Sequence, residues 1–162
     1  MRSTVRLAET ALAALVADQP DYAAGYDLQG DILQQTGRYA EAVAAYTHSL
    51  AEWEGDEATL LKRAVALAHL GDAAAAERDV AAARAGAEAE GGLAAGSLYD
   101  VVCVYALLGN VPAAIEAAAE AVDAGYDDLD WLEDDPDLAI LQDEPAFQAL
   151  LDRLERALDD AE

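Results

Sequence analysis

Gly37 and Gly71 stand 34 residues apart, and the residues around them recur at that interval. Tyr26, Gly30, Leu33, Tyr39, Ala42, Tyr46 and Leu50 surround the first; Leu60, Ala64, Leu67, Ala76 and Val80 surround the second at matching spacings. A third set, Leu98, Val102, Tyr105 and Ala114, surrounds Gly109. That glycine comes 38 residues after Gly71, so four residues are inserted, and they fall between Gly86 and Gly96, where Gly91 and Gly92 also lie. The segment reads as an extended helix end and a flexible joint. Self-similarity at a fixed period dictates architecture first: each repeat is one supersecondary unit that cannot bury its apolar face alone, so neighbours must stack.

Helices are the expected units. Apolar residues make up 54% of the chain, enough for a core, and much of that fraction is alanine. Alanine favours helix and lets helices approach closely, whereas the β-branched and aromatic residues that strands need are sparse. The expectation is an all-α fold in one domain of 162 residues.

The stretch from Tyr26 to Leu50, together with its period, resembles the tetratricopeptide repeat family. The resemblance implies a right-handed superhelical stack of antiparallel helix pairs. It has departures: no proline closes any of the three copies, and the later copies carry Val80 and Ala118 where the first has an aromatic. Upstream, Val5, Ala8, Leu12 and Leu15 form a helical stripe ending at Pro20, which resembles the second half of a preceding repeat. Downstream, the runs Tyr99 to Gly109, Ala124 to Leu132 and Asp135 to Phe147 resemble an end-of-group module that closes many bacterial tetratricopeptide arrays, over roughly residues 97–154. Asp135 ahead of Pro136 is a helix start, and Phe147, Leu150, Leu151, Leu154 and Leu158 make the stripe of a last helix. The expected segments are an N-terminal half repeat over 1–22, repeats over 23–56, 57–90 and 91–125, and closing helices over 126–162.

A net charge of −24 bears on partners. Affinity for nucleic acid or an anionic membrane is built by Lys and Arg neutralising negative charge, so both are excluded as main ligands. A basic protein or peptide is favoured, because opposite charge speeds encounter; the same surface would also simply keep the chain dissolved. Lys62 is the one lysine against 33 acids, a balance that suits a salt-rich, halophile cytoplasm and that a GC-rich genome would equally produce. Cys103 is alone, so neither a disulfide nor a thiolate metal cluster forms within the chain. Arg2 and Arg6 ahead of the run Ala11 to Ala17 faintly suggest a signal peptide, but Glu9 and Asp18 crowd that run and it reads better as a structural helix. No apolar stretch is long enough to span a bilayer, and the expected location is cytoplasmic.

In the family resembled here, the first helices of successive repeats line a concave groove. Helical spacing puts Asp27, Asp31 and Gln34 on one stripe of the first copy, with Gln35 beside it. The second copy presents Leu61, Val65 and Ala68, flanked by Lys62 and His69; the third presents Tyr99, Cys103 and Ala106. The groove so drawn is acidic and amide-rich at one end and apolar at the other, which suits a peptide with Lys or Arg near a hydrophobic segment. The family's best-known site holds a C-terminal carboxylate with Lys and Asn; Asp27 and Asp31 stand in those places here and argue against that specificity. Two plainer readings compete. The acids are ordinary solvated side chains of an acidic protein, and Leu61, Val65 and Tyr99 are core beneath a C-terminal helix that folds back.

No catalytic constellation stands out. Ser, His and Asp occur without a motif context, and no glycine-rich phosphate loop follows a strand. His48 and His69 fall in helices of different copies and read as surface or groove residues rather than metal ligands. The acids Asp127, Asp128, Asp130, Glu133, Asp134, Asp135 and Asp137 lack the turn glycine and terminal glutamate of a calcium loop, and acids gather at helix starts for dipole reasons. The expected function is a non-catalytic scaffold or adaptor without cofactor or metal. The alternative is a structural protein that self-associates into a homo-oligomer through its first or last helix.

Overall fold

The structure is a computed structural model that describes residues 2–19 and 21–160. The side chains of Arg2, Val5, Arg6, Ala8 and Glu9, and Pro20 entirely, lie outside the described residues, so the roles expected of them above are not taken further.

Every regular element among the described residues is helical: α1 (Arg2–Asp18), α2 (Ala23–Gln35), α3 (Tyr39–Glu52), α4 (Glu57–His69), α5 (Ala73–Ala87), α6 (Ala95–Leu107), α7 (Val111–Asp123), α8 (Leu129–Asp134) and α9 (Pro145–Asp159). A 3-10 turn, Glu88–Glu90, follows α5, and a 3-10 helix, Pro136–Leu141, separates α8 from α9. No helix among these residues is long and apolar enough to cross a membrane. Where the sequence reads as one array, contacts gather into two compact units, residues 1–87 and 88–162, each described by itself.

The recurrent glycine is a helix stop. At the end of α2, Gly37 takes φ +74°, its N–H donates to the Gln34 carbonyl at 2.9 Å, and the Arg38 N–H reaches back to the Leu33 carbonyl at 2.8 Å. These are the two bonds of a Schellman motif, which needs a left-handed residue that only glycine adopts without strain. The same pair closes α4 at Gly71 and α6 at Gly109. The next residue starts the partner helix: Asp72 and Asn110 accept from the N–H groups of Ala75 and Ala113, satisfying an orphan donor of α5 and α7. Arg38, at the equivalent place, instead pairs with Glu41 at 2.7 Å, and that guanidinium bond holds the exposed Glu41 carboxyl below its usual range.

In the first unit α2 packs on α3, α3 on α4, α4 on α5 and α1 on α2. Tyr46 is fully buried, in a core cluster with Leu33, Ala42, Ala45 and Ala66. A Cβ added at Gly30 would overlap the Tyr46 ring, so the glycine is there for the close approach. Burial of a side chain this size contributes on the order of 2–3 kcal/mol. The matched positions of the later copies invert the sizes: Gly30 with Tyr46, Ala64 with Val80, and Val102 with Ala118, every member buried. Arg63 of α4 and Asp79 of α5 form a two-pronged ion pair, Nε to Oδ2 at 2.7 Å and Nη2 to Oδ1 at 2.8 Å, and Arg63 also donates to Thr47 of α3 at 3.1 Å.

In the second unit α6 pairs with α7, the 3-10 helix Pro136–Leu141 lies against α6, and α9 packs on α7 and α8. Leu132, Leu138, Leu141 and Phe147 are fully buried, and Leu150, Leu151 and Leu154 complete the inward stripe of α9. Two acids of the dense cluster act as caps. Asp128 accepts the Trp131 N–H at 3.0 Å at the start of α8, and Asp135 accepts the Asp137 N–H at 2.9 Å ahead of Pro136.

Candidate interaction site

Asp27 and Asp31 sit one turn apart on α2 because four residues of helix return to the same face. Both carboxylates converge on Lys62 of α4, with Nζ 2.8 Å from Asp27 Oδ2 and 3.0 Å from Asp31 Oδ2. Their other oxygens are also engaged. Asp27 Oδ1 accepts the Thr59 hydroxyl at 3.0 Å, and Asp31 Oδ1 accepts the Tyr46 hydroxyl at 2.9 Å. Gln34 Oε1 stands 3.5 Å from the same hydroxyl, while Gln35 is exposed. The cluster therefore draws on α2, α3 and α4 and carries a net formal charge of −1.

Partial burial lowers the Lys62 pKa, but the hydrogen bonds and charges of Asp27 and Asp31 outweigh it, so the ammonium is held above its ordinary value. The three side chains stay a quarter to a third exposed, at 29%, 24% and 29% for Lys62, Asp27 and Asp31. The site is thus built from inside yet open to water. The plain picture of solvated acids does not describe Asp27 and Asp31, whose four oxygens are all directed at named donors.

The apolar candidates behave differently. Leu61 and Val65 on α4, and Tyr99 and Cys103 on α6, are 0%, 5%, 8% and 4% exposed. This corrects the expectation that they line an open groove: their side chains are core. In the second unit the cover over Tyr99 is visible. Its hydroxyl donates to Asp135 and its ring stacks on Tyr126 with centroids 4.9 Å apart, so the segment leading into the 3-10 helix lies over it. Burial, then Cys103 and Asp135 close by, pushes the Tyr99 phenol far up. Burial likewise pushes the Cys103 thiol well up, with Asp135 and Asp100 adding negative charge beside it. His69 stacks on Tyr39 at 3.9 Å and His48 on Tyr26 at 4.9 Å. Among the described residues no three His, Cys, Asp or Glu side chains are grouped to hold a metal ion.

Sequence reasoning did not single out Thr59, Tyr46 as a hydroxyl donor, Asp135 as the partner of Tyr99, or the Arg63–Asp79 pair. The available signal was the period itself. Thr59 and Lys62 follow Asp27 by 32 and 35 residues, close to one repeat, and successive first helices standing side by side bring such positions together.

No family model matches the chain. It is 36% identical over 59 residues to a chloroplast protein of Arabidopsis thaliana, a stretch that is 36% of this chain and 18% of that protein's length. Its structure is similar to the solved structure of the MamA RS-1 ArsTM double mutant, MamA being a tetratricopeptide-containing protein, with a TM-score of 0.67 at 19% identity over 98% of this chain and 89% of that one. At that identity the likeness shows the fold: an all-helical repeat structure of the tetratricopeptide type.

Proposed function

We propose that this chain is a non-catalytic protein-interaction scaffold working in the cytoplasm, and that the face formed by α2 and α4 takes a basic segment of a partner protein. The observation that carries the reading is the convergence of Asp27 and Asp31 on one ammonium at a part-exposed site. The helical repeat fold and the net charge of −24 support it, the first as a rigid frame for side chains and the second as a steering field. The burial of Leu61, Val65, Tyr99 and Cys103 takes the hydrophobic half out of the expected groove, so the proposal rests on its acidic half and on a basic segment alone. Of the two helices expected to mediate self-association, α9 has its apolar stripe committed within its own unit.

Fluorescence anisotropy with a labelled lysine-containing peptide tests the reading. Binding should weaken with added salt and in Asp27→Asn/Asp31→Asn. A glutamate-containing counterpart that bound equally well would overturn it.

A further inference from the structure

We infer that Lys62 is a built-in competitor for the partner: its ammonium fills the Asp27–Asp31 site in the unbound chain and gives way to a lysine side chain that the partner presents. The inference rests on the reading of the α2 and α4 face as an interaction surface.

Each carboxylate divides its two oxygens between separate tasks. The Oδ1 atoms of Asp27 and Asp31 are held by the hydroxyls of Thr59 and Tyr46, residues 2% and 0% exposed. The Oδ2 atoms both face Lys62 Nζ. Bonds that do not involve Lys62 therefore fix the acids from behind, while the ammonium hangs on a flexible four-carbon stem. When it swings away it leaves two aligned like charges aimed at one point, and another ammonium restores the same two bonds.

The choice of cation fits this role. Three ion pairs among the described residues use arginine: Arg38 with Glu41, Arg63 with Asp79, and Arg153 with Asp123. Arginine's planar fork locks onto one carboxylate by parallel bonds, as Arg63 does on Asp79, and is hard to exchange. At the Asp27–Asp31 site single oxygens from two carboxylates meet at one nitrogen, a geometry suited to a compact ammonium rather than a fork. The chain's one lysine stands there. The partner group it mimics is accordingly a lysine in preference to an arginine.

The test titrates a capped pentapeptide with one lysine between leucines, and its arginine and norleucine counterparts, into wild type, Lys62→Met and Asp27→Asn/Asp31→Asn. The lysine peptide should bind Lys62→Met about tenfold more tightly than wild type, since a competing charge is gone. The arginine peptide should gain less and the norleucine peptide nothing. In wild type labelled with ¹⁵N-lysine, the single side-chain ammonium signal should move as the lysine peptide is added. Equal binding to wild type and Lys62→Met, with binding lost in Asp27→Asn/Asp31→Asn, would overturn the competitor while leaving the interaction surface standing. Binding indifferent to Asp27→Asn/Asp31→Asn, or absent from both wild type and Lys62→Met, would remove the surface itself. Should Lys62→Met fail to fold by circular dichroism, an ammonium signal unmoved at saturating peptide in wild type would overturn the inference alone.

Discussion

The Tyr46 hydroxyl donates to Asp31 at 2.9 Å, so the most deeply buried aromatic of the first helix pair also holds one of the two acids that face Lys62. Core packing and site geometry are therefore one structure at this point. Tyr46→Phe keeps the ring and deletes the donor to a charged acceptor, and should destabilise the fold by about 1–2 kcal/mol. Urea denaturation checks this, with the midpoint lowered and the slope unchanged.

Gly30 and Tyr46 should behave as a coupled pair. Gly30→Ala forces a methyl into the ring and should cost on the order of 1–3 kcal/mol. Gly30→Ala/Tyr46→Val reproduces the combination that Ala64 and Val80 present one repeat later. Its loss should fall short of the sum of the single losses by at least about 0.5 kcal/mol in a double-mutant cycle. Strict additivity would show that ring and glycine do not compete for the same space.

Breaking the Arg63–Asp79 pair from one side should be costly. Asp79 is 7% exposed, and Arg63→Met strands its charge, for an expected loss of about 3 kcal/mol. Arg63→Met/Asp79→Leu should be more stable than Arg63→Met alone, because no uncompensated charge remains. Thermal or urea unfolding of the three proteins decides it.

Alkaline pH should unfold the chain. Tyr99, Tyr126, Cys103 and Lys62 all hold their protons more tightly folded than unfolded: the phenols and thiol chiefly through burial, Lys62 through Asp27 and Asp31 against its burial. As pH rises past the ordinary values, 9.0 for the thiol and 10.0 to 10.5 for phenol and ammonium, the unfolded chain loses these protons first. Their stabilisation is complete below that window and is lost progressively as pH rises through it toward the raised folded-state values. The expected result is a Tm that falls between about pH 9 and pH 11, with Tyr99 and Tyr126 showing phenolate absorbance only on unfolding. An unchanged Tm across the window would refute the assignment.

Cys103 should be inert in the native chain, since it is buried and its thiol stays protonated. Labelling with a disulfide reagent at pH 8 should be at least about a hundredfold slower than in urea. Comparable rates would place the thiol in contact with solvent.

Much of the fold is legible in the sequence because its determinants are local. The glycine that stops each helix, the capping Asp72 and Asn110, and the apolar period all act within a few residues of themselves. Asp27 and Asp31 are legible as a pair for the same reason, being one turn apart. Lys62 as their shared partner is not, because it depends on the register of helices separated by about one repeat. Neither is the burial of Leu61, Val65, Tyr99 and Cys103: an apolar stripe looks alike whether it faces a ligand or its own chain, and for Tyr99 the cover comes from Asp135, 36 residues away.

The glycines at 37, 71 and 109 share a φ within a degree of one another, although the core residues around them differ in size and kind. Each hairpin's reversal is written into the backbone, independently of the side chains that fill it. Mutational drift can therefore exchange a tyrosine for a valine or an alanine inside a repeat while the bend is inherited intact. A protein built this way can change what fills its repeats without redrawing its bends.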